Sequence, residues 1–139
     1  MKRVFLDTNI LLDYGLDREL ADYAEDILAL GKEGYIELYA SYLSFANMGY
    51  ILRHHPVEEA YSLIRLMRKP VFVLPCDADQ LDAGLNVQVK DFEDMMQYQC
   101  ALAASCDVII TNNKKDFYSF CELPFLTAEE FLLQFNFQQ

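Results

Sequence analysis

Three polar segments of this 139-residue chain hold the residue types that can do chemistry. Asp7 ends the apolar run Val4-Phe5-Leu6 and opens the tripeptide Asp7-Thr8-Asn9. Asp91-Phe92-Glu93-Asp94 puts three carboxylates into four residues. Thr111-Asn112-Asn113-Lys114-Lys115-Asp116-Phe117 follows a second apolar run, Val108-Ile109-Ile110. Each segment has a plain structural explanation. Asp7 or Thr8 can cap a helix beginning at Ile10. Acids at 91–94 suit the positive end of a helix dipole. An Asn-Asn pair suits a turn. Together they say more, because two strand ends and one helix start offer carboxylates to one edge of a sheet. Carboxylate oxygens with few histidines or thiols nearby suit Mg²⁺ or Mn²⁺. Such ions activate water and neutralise a phosphodiester.

The elements that must position these residues follow from the apolar pattern. Short strands are expected at Lys2–Asp7, Tyr35–Tyr39, Val71–Leu74 and Val108–Ile110. Helical spacing marks residues 19–31, a segment capped by Ser41 or Ser44, and one opened by Pro56. It also marks residues 77–86, 91–105 and Thr127–Phe135, the last capped by Thr127 with Glu129 and Glu130 in its first turn. In the 91–105 helix, Ala101, Leu102 and Ala104 are expected to pack on the sheet, with Asp94 beside that face. Strands alternating with helices predict a single α/β domain over 1–139: a central parallel sheet of four to five short strands flanked by helices, a three-layer sandwich. Ligands bind such sheets beyond the carboxyl ends of the strands.

Composition narrows the function. Acids outnumber bases 22 to 11, for a net charge of −11. A basic nucleic-acid-coating protein and a cationic membrane helix are thereby excluded as simple readings. A nuclease is not, because acids that bind metal recruit nucleic acid through their ions. No apolar stretch reaches the roughly 18 residues of a membrane span, so a soluble, cytoplasmic protein is expected. The cysteines at 76, 100, 106 and 121 form no C-x-x-C pair and read as free, buried thiols.

The three segments resemble the PIN-domain family. Val4-Phe5-Leu6-Asp7-Thr8-Asn9 is similar to its opening signature. Asp91–Asp94, followed by Gln97, Ala101, Asp107 and Ile109-Ile110-Thr111, looks like its central acidic helix and next strand. Thr111-Asn112-Asn113 with Asp116-Phe117, and Leu126 to Leu132, resemble its later elements. The resemblance implies a metal-dependent ribonuclease, in many members the toxin of a toxin–antitoxin pair, using Mg²⁺ or Mn²⁺. It implies Asp7 and Asp94 as metal ligands, supported by Asp116 and Asp91, with Asn9 and Thr111 orienting the cluster. It implies RNA as substrate, an antitoxin-like protein partner and a homodimer. Two amides, Asn47 and Asn113, stand where the family often has acids. Asp91 and Glu93 are positioned in sequence to compensate. The alternative is a catalytically weakened domain that binds RNA or protein.

Three further features are weighed. Arg65 and Arg68, with Lys69, form the main basic cluster, and Lys114 and Lys115 stand apart; each is either a solvated face or a phosphate contact. Phe131, Phe135 and Phe137 are candidates for a dimer contact. An aspartyl-phosphate phosphatase would want an acid two residues after Asp7, where this chain has Asn9.

Overall fold

The computed structural model describes residues 1–137. Five strands and seven α-helices alternate along the chain: β1 (Arg3–Leu6), α1 (Thr8–Gly15), α2 (Ala21–Lys32), β2 (Glu37–Ser41), α3 (Tyr42–Ile51), α4 (Val57–Arg68), β3 (Phe72–Leu74), α5 (Ala78–Leu85), α6 (Phe92–Ala103), β4 (Val108–Ile110), β5 (Phe125–Leu126) and α7 (Ala128–Phe137). A 3₁₀ turn, Lys114–Asp116, lies between β4 and β5. All strand pairs are parallel, in the order β3-β2-β1-β4-β5.

The strands alternate their burial between two helical layers, as a pleated backbone requires. Val4, Leu6, Val108 and Ile110 face a core with Ile10, Leu11, Ile27, Met48, Met67 and Phe131. Phe5 and Ile109 face the opposite way, onto Met95, Tyr98, Ala101 and Phe117. That is the expected three-layer sandwich. The strand order reverses between β1 and β4, so their carboxyl ends flank the crevice where a parallel sheet accepts ligands.

Several boundaries differ from expectation for identifiable reasons. α1 starts at Thr8 because Asp7 caps it, accepting from the Thr8 amide at 2.8 Å. β2 starts later than Tyr35, after a turn in which Gly34 takes φ +84°. Ser41 both ends β2 and caps α3, accepting from the Ser44 amide. β5 has only two residues, too few for an apolar pattern to show, and exists through its pairing with β4. In α6, Ala101 is buried but Leu102 points to solvent, 41% exposed. Thr127 caps α7 as expected, in a reciprocal pair with Glu130. Phe131 lies in the core and Phe135 packs against it, so neither is the exposed contact expected of them; the side chain of Phe137 lies outside the described residues. All four cysteines are free; Cys100 and Cys106 are buried, and Cys76 and Cys121 are half-buried rather than buried as expected. Among the described residues no helix is long and apolar enough to cross a membrane.

Candidate metal centre

The ends of β1 and β4 and the start of α6 converge. Asp7 is 5% exposed. Its amide donates to the Ile110 carbonyl at 3.0 Å, which extends the β1–β4 pairing by one residue. The Thr111 hydroxyl donates to its carboxylate at 2.9 Å and accepts from the Asn113 amide at 3.1 Å. Asp7 is thus a cap, a strand end and a rim carboxylate at once. Burial still outweighs its two donors and lifts its pKa to about 6.

The α6 side is different in kind. Asp91 caps α6, accepting from the Asp94 amide at 3.0 Å. One carboxylate oxygen each from Asp91, Asp94 and Asp116 lies within 4.8 Å of the others. Asp94 is 9% exposed. Its pKa is pushed up to about 8, by desolvation first and then by the charges of Asp7 and Asp91. Like charges this close are unfavourable without a cation between them. The donors are all hard carboxylate oxygens, which fits Mg²⁺ or Mn²⁺ and not a thiolate- or imidazole-seeking metal. Asp7 stands outside the triad, though its charge is felt at Asp94.

The remaining candidates separate. Asn113 donates its side-chain amide to the Asp116 carboxylate, so it orients an acid of the triad. Asn47, half-buried on α3, donates to Glu93 Oε1 at 2.8 Å. That bond ties α3 to α6 and fixes a fourth carboxylate next to the triad. Glu93 has its own pKa raised by burial and then by Asp91. Asn9 instead accepts from Arg18 at 3.3 Å, and among the described residues no side-chain bond joins it to the acids. Lys114 is paired with Glu130 at 3.1 Å. Arg68 donates to the Val71 carbonyl at 2.9 Å, just before β3, and Arg65 lies 5.8 Å over the Tyr61 ring. Both arginines line a groove of about 290 Å³ that contains none of the acids. Lys115 does lie by the acids, in a cleft of about 480 Å³ shared with Val89, Lys90, Asp91, Phe92, Asp116 and Ser119.

Two features behind the acids escape a reading by composition. Gln97, one turn after Asp94, is fully buried. Its Nε2 donates to the Thr8 hydroxyl at 3.2 Å and the Ser44 hydroxyl at 3.1 Å, which are themselves 2.7 Å apart. Helices α1, α3 and α6 therefore meet at one amide, whose Oε1 has no hydrogen-bond partner among the described residues. Asp13, also buried, accepts from Asn112 at 3.3 Å and pairs with Arg18 at 3.7 Å. Asn112 in turn accepts from the Ala128 amide, so the strand-end turn is tied to both α1 and α7. Gln97 stands among the motif residues, but its partners lie 53 and 89 positions away.

With this geometry in place, comparison with known proteins gives a consistent result. The family model described as PIN domain matches residues 3–115. Ribonuclease VapC1 of Aquifex aeolicus is 25% identical over 141 residues, covering 97% of this chain and 96% of its own. The structure of VapBC2 from Rickettsia felis, bound to a DNA fragment from its promoter, superposes with a TM-score of 0.71 at 17% identity, covering 88% of this chain and 96% of that one. Mycobacterium tuberculosis VapC20, a sarcin-ricin loop cleaving toxin, superposes with a TM-score of 0.64 at 11% identity, covering 84% and 95%. At those identities the two structures speak for the fold alone.

Proposed function

This chain belongs to the PIN-domain family, and we propose that it is a divalent-metal-dependent endoribonuclease acting as the toxin of a toxin–antitoxin pair. The observation that carries the proposal is the convergence of Asp91, Asp94 and Asp116 within 4.8 Å, beside the point where the strand order reverses. Ribonuclease VapC1, alike over nearly the whole chain, supports the reaction class, and the VapBC complex among the structural relatives supports an antitoxin-like partner.

Asp94, Asp91 and Asp116 would hold Mg²⁺ or Mn²⁺, with Asp7 on the β1 side. When bound, such an ion lowers the pKa of water and offsets the charge of a phosphodiester. The chain's own residues do the positioning. Thr111 and the Thr8 amide fix the Asp7 carboxylate. Asn113 fixes Asp116. Asn47 replaces an acid with an amide, but that amide presents Glu93, so a carboxylate is still supplied at this corner of the site, from α6 instead of α3. This favours a working nuclease over the alternative of a domain that has lost catalysis.

The deciding experiment is a Mn²⁺ titration by calorimetry alongside a cleavage assay on a mixed RNA pool. Wild type is expected to bind Mn²⁺ and cleave; Asp94→Asn and Asp116→Asn are expected to lose both. Equal cleavage by wild type and Asp94→Asn, or cleavage undiminished in EDTA, overturns the proposal.

A further inference from the structure

Gln97 is a costly residue where it stands. It is fully buried in α6, its Nε2 donates to two hydroxyls, and among the described residues its Oε1 has no hydrogen-bond partner. A buried carbonyl oxygen without a donor lowers stability, and an apolar side chain of the same size would avoid that loss. The hydroxyls of Thr8 and Ser44 do not need the amide either, since one donates to the other at 2.7 Å. What the amide supplies is position.

Each of the three bonded residues stands directly behind a residue of the site. Thr8 follows Asp7 in the chain. Gln97 comes one turn after Asp94, on the same buried face of α6. Ser44 comes one turn before Asn47 on α3, and Asn47 holds Glu93. A polar tier thus lies behind the acids and joins the elements that carry them. Helix α6 otherwise packs mainly on α5 and β2, not on α1 or α3. Apolar packing has no preferred direction and permits sliding, whereas a hydrogen bond constrains both distance and angle.

We infer that Gln97 is a positioning residue for the metal centre: its two bonds set α6 against α1 and α3, and so hold Asp94 at its distance from Asp7 and Glu93 at its place beside Asn47. The inference rests on the metal-dependent reading and adds to it what keeps the acids at their spacing.

The test separates position from stability, with Mn²⁺ alone as the probe. Gln97→Met keeps the volume and removes the unpartnered oxygen, so the metal-free protein should melt no lower than wild type. It should nevertheless bind Mn²⁺ about tenfold more weakly by calorimetry, the lower end of the loss seen when a support behind a metal ligand is cut. Thr8→Val and Thr8→Ser form a cross-check. The first keeps the side chain's shape and loses the bond; it should weaken Mn²⁺ binding about as much as Gln97→Met. The second loses a methyl group and keeps the hydroxyl; it should melt lower yet rescue Mn²⁺ affinity. Cleavage of RNA should follow Mn²⁺ affinity, not melting temperature, across the three variants. Wild-type Mn²⁺ affinity in both Gln97→Met and Thr8→Val, or losses that track melting temperature, overturns the inference. If wild type still binds Mn²⁺ and cleaves, that result spares the ribonuclease reading. A wild type that neither binds Mn²⁺ nor cleaves RNA removes both.

Discussion

The two sides of the acidic rim solve the same problem in opposite ways. On the β1 side, Asp7 is buried but supplied with donors, the Thr111 hydroxyl and the Thr8 amide. On the α6 side, Asp91, Asp94 and Asp116 are pressed together, and among the described residues no donor from outside the triad reaches the Asp94 carboxylate. The donors offset part of the cost of burying Asp7; the α6 acids meet like charges where Asp7 meets donors. The first side is therefore architecture that also serves the site. The second is a charge arrangement held in a costly state, which a divalent ion would relieve.

Substitutions should expose this asymmetry. Asp94→Asn and Asp7→Asn should each reduce Mn²⁺-dependent cleavage by about 10²–10³-fold, the scale of losing one preorganised electrostatic group. In the metal-free protein they should part: Asp94→Asn raises the melting temperature by removing repulsion, and Asp7→Asn lowers it. A fall for both would erase the distinction. Mn²⁺ should raise the melting temperature of wild type and leave Asp94→Asn nearly unmoved, by differential scanning fluorimetry.

The pH dependence follows from the sign of the shifts. Asp94 and Asp7 titrate at about 8 and about 6 in the fold, above the ordinary aspartate value. The folded chain then binds more protons than the unfolded one, and stability falls as pH rises through those values. The metal-free protein should melt lower at pH 8.5 than at pH 5. Asp94→Asn should flatten most of that slope, and saturating Mn²⁺ should do the same. A flat profile in metal-free wild type would contradict the charge strain.

Smaller effects sharpen the picture. Thr111→Val removes the donor to Asp7 and should cost about 1–3 kcal/mol of stability by urea unfolding, with little change in Mn²⁺ binding. Glu93→Gln should weaken Mn²⁺ binding by about 3–10-fold, less than any triad member, consistent with an acid acting from beside the cluster. Wild-type affinity in that variant would remove Glu93 from the site.

Much of this was legible in the chain. An apolar run stopped by an aspartate identifies a strand end in a parallel sheet, which is why β1 and Asp7 were readable. The acids of α6 were readable because three of them crowd one helix start. What could not be read is pairing across the chain. Asn47 looks like a lost acid until Glu93, 46 positions later, is seen at its amide. Arg65 and Arg68 look like the strongest phosphate contacts because they are clustered, but that cluster lies in a groove apart from the acids. Lys90, isolated in sequence, lines the cleft beside the acids together with Lys115. Local pattern reports which face a residue takes; it does not report which distant residue it meets.

Gln97 ties these observations to the molecule's mechanics. A single side chain spans the helix capped by Asp7, the helix bearing Asn47 and the helix bearing Asp94. Any displacement of α6 would thus be felt at the Asp7 turn and at the helix bearing Asn47. Both bonds use Nε2, and among the described residues Oε1 has no hydrogen-bond partner. The rim would tighten as one unit, not residue by residue.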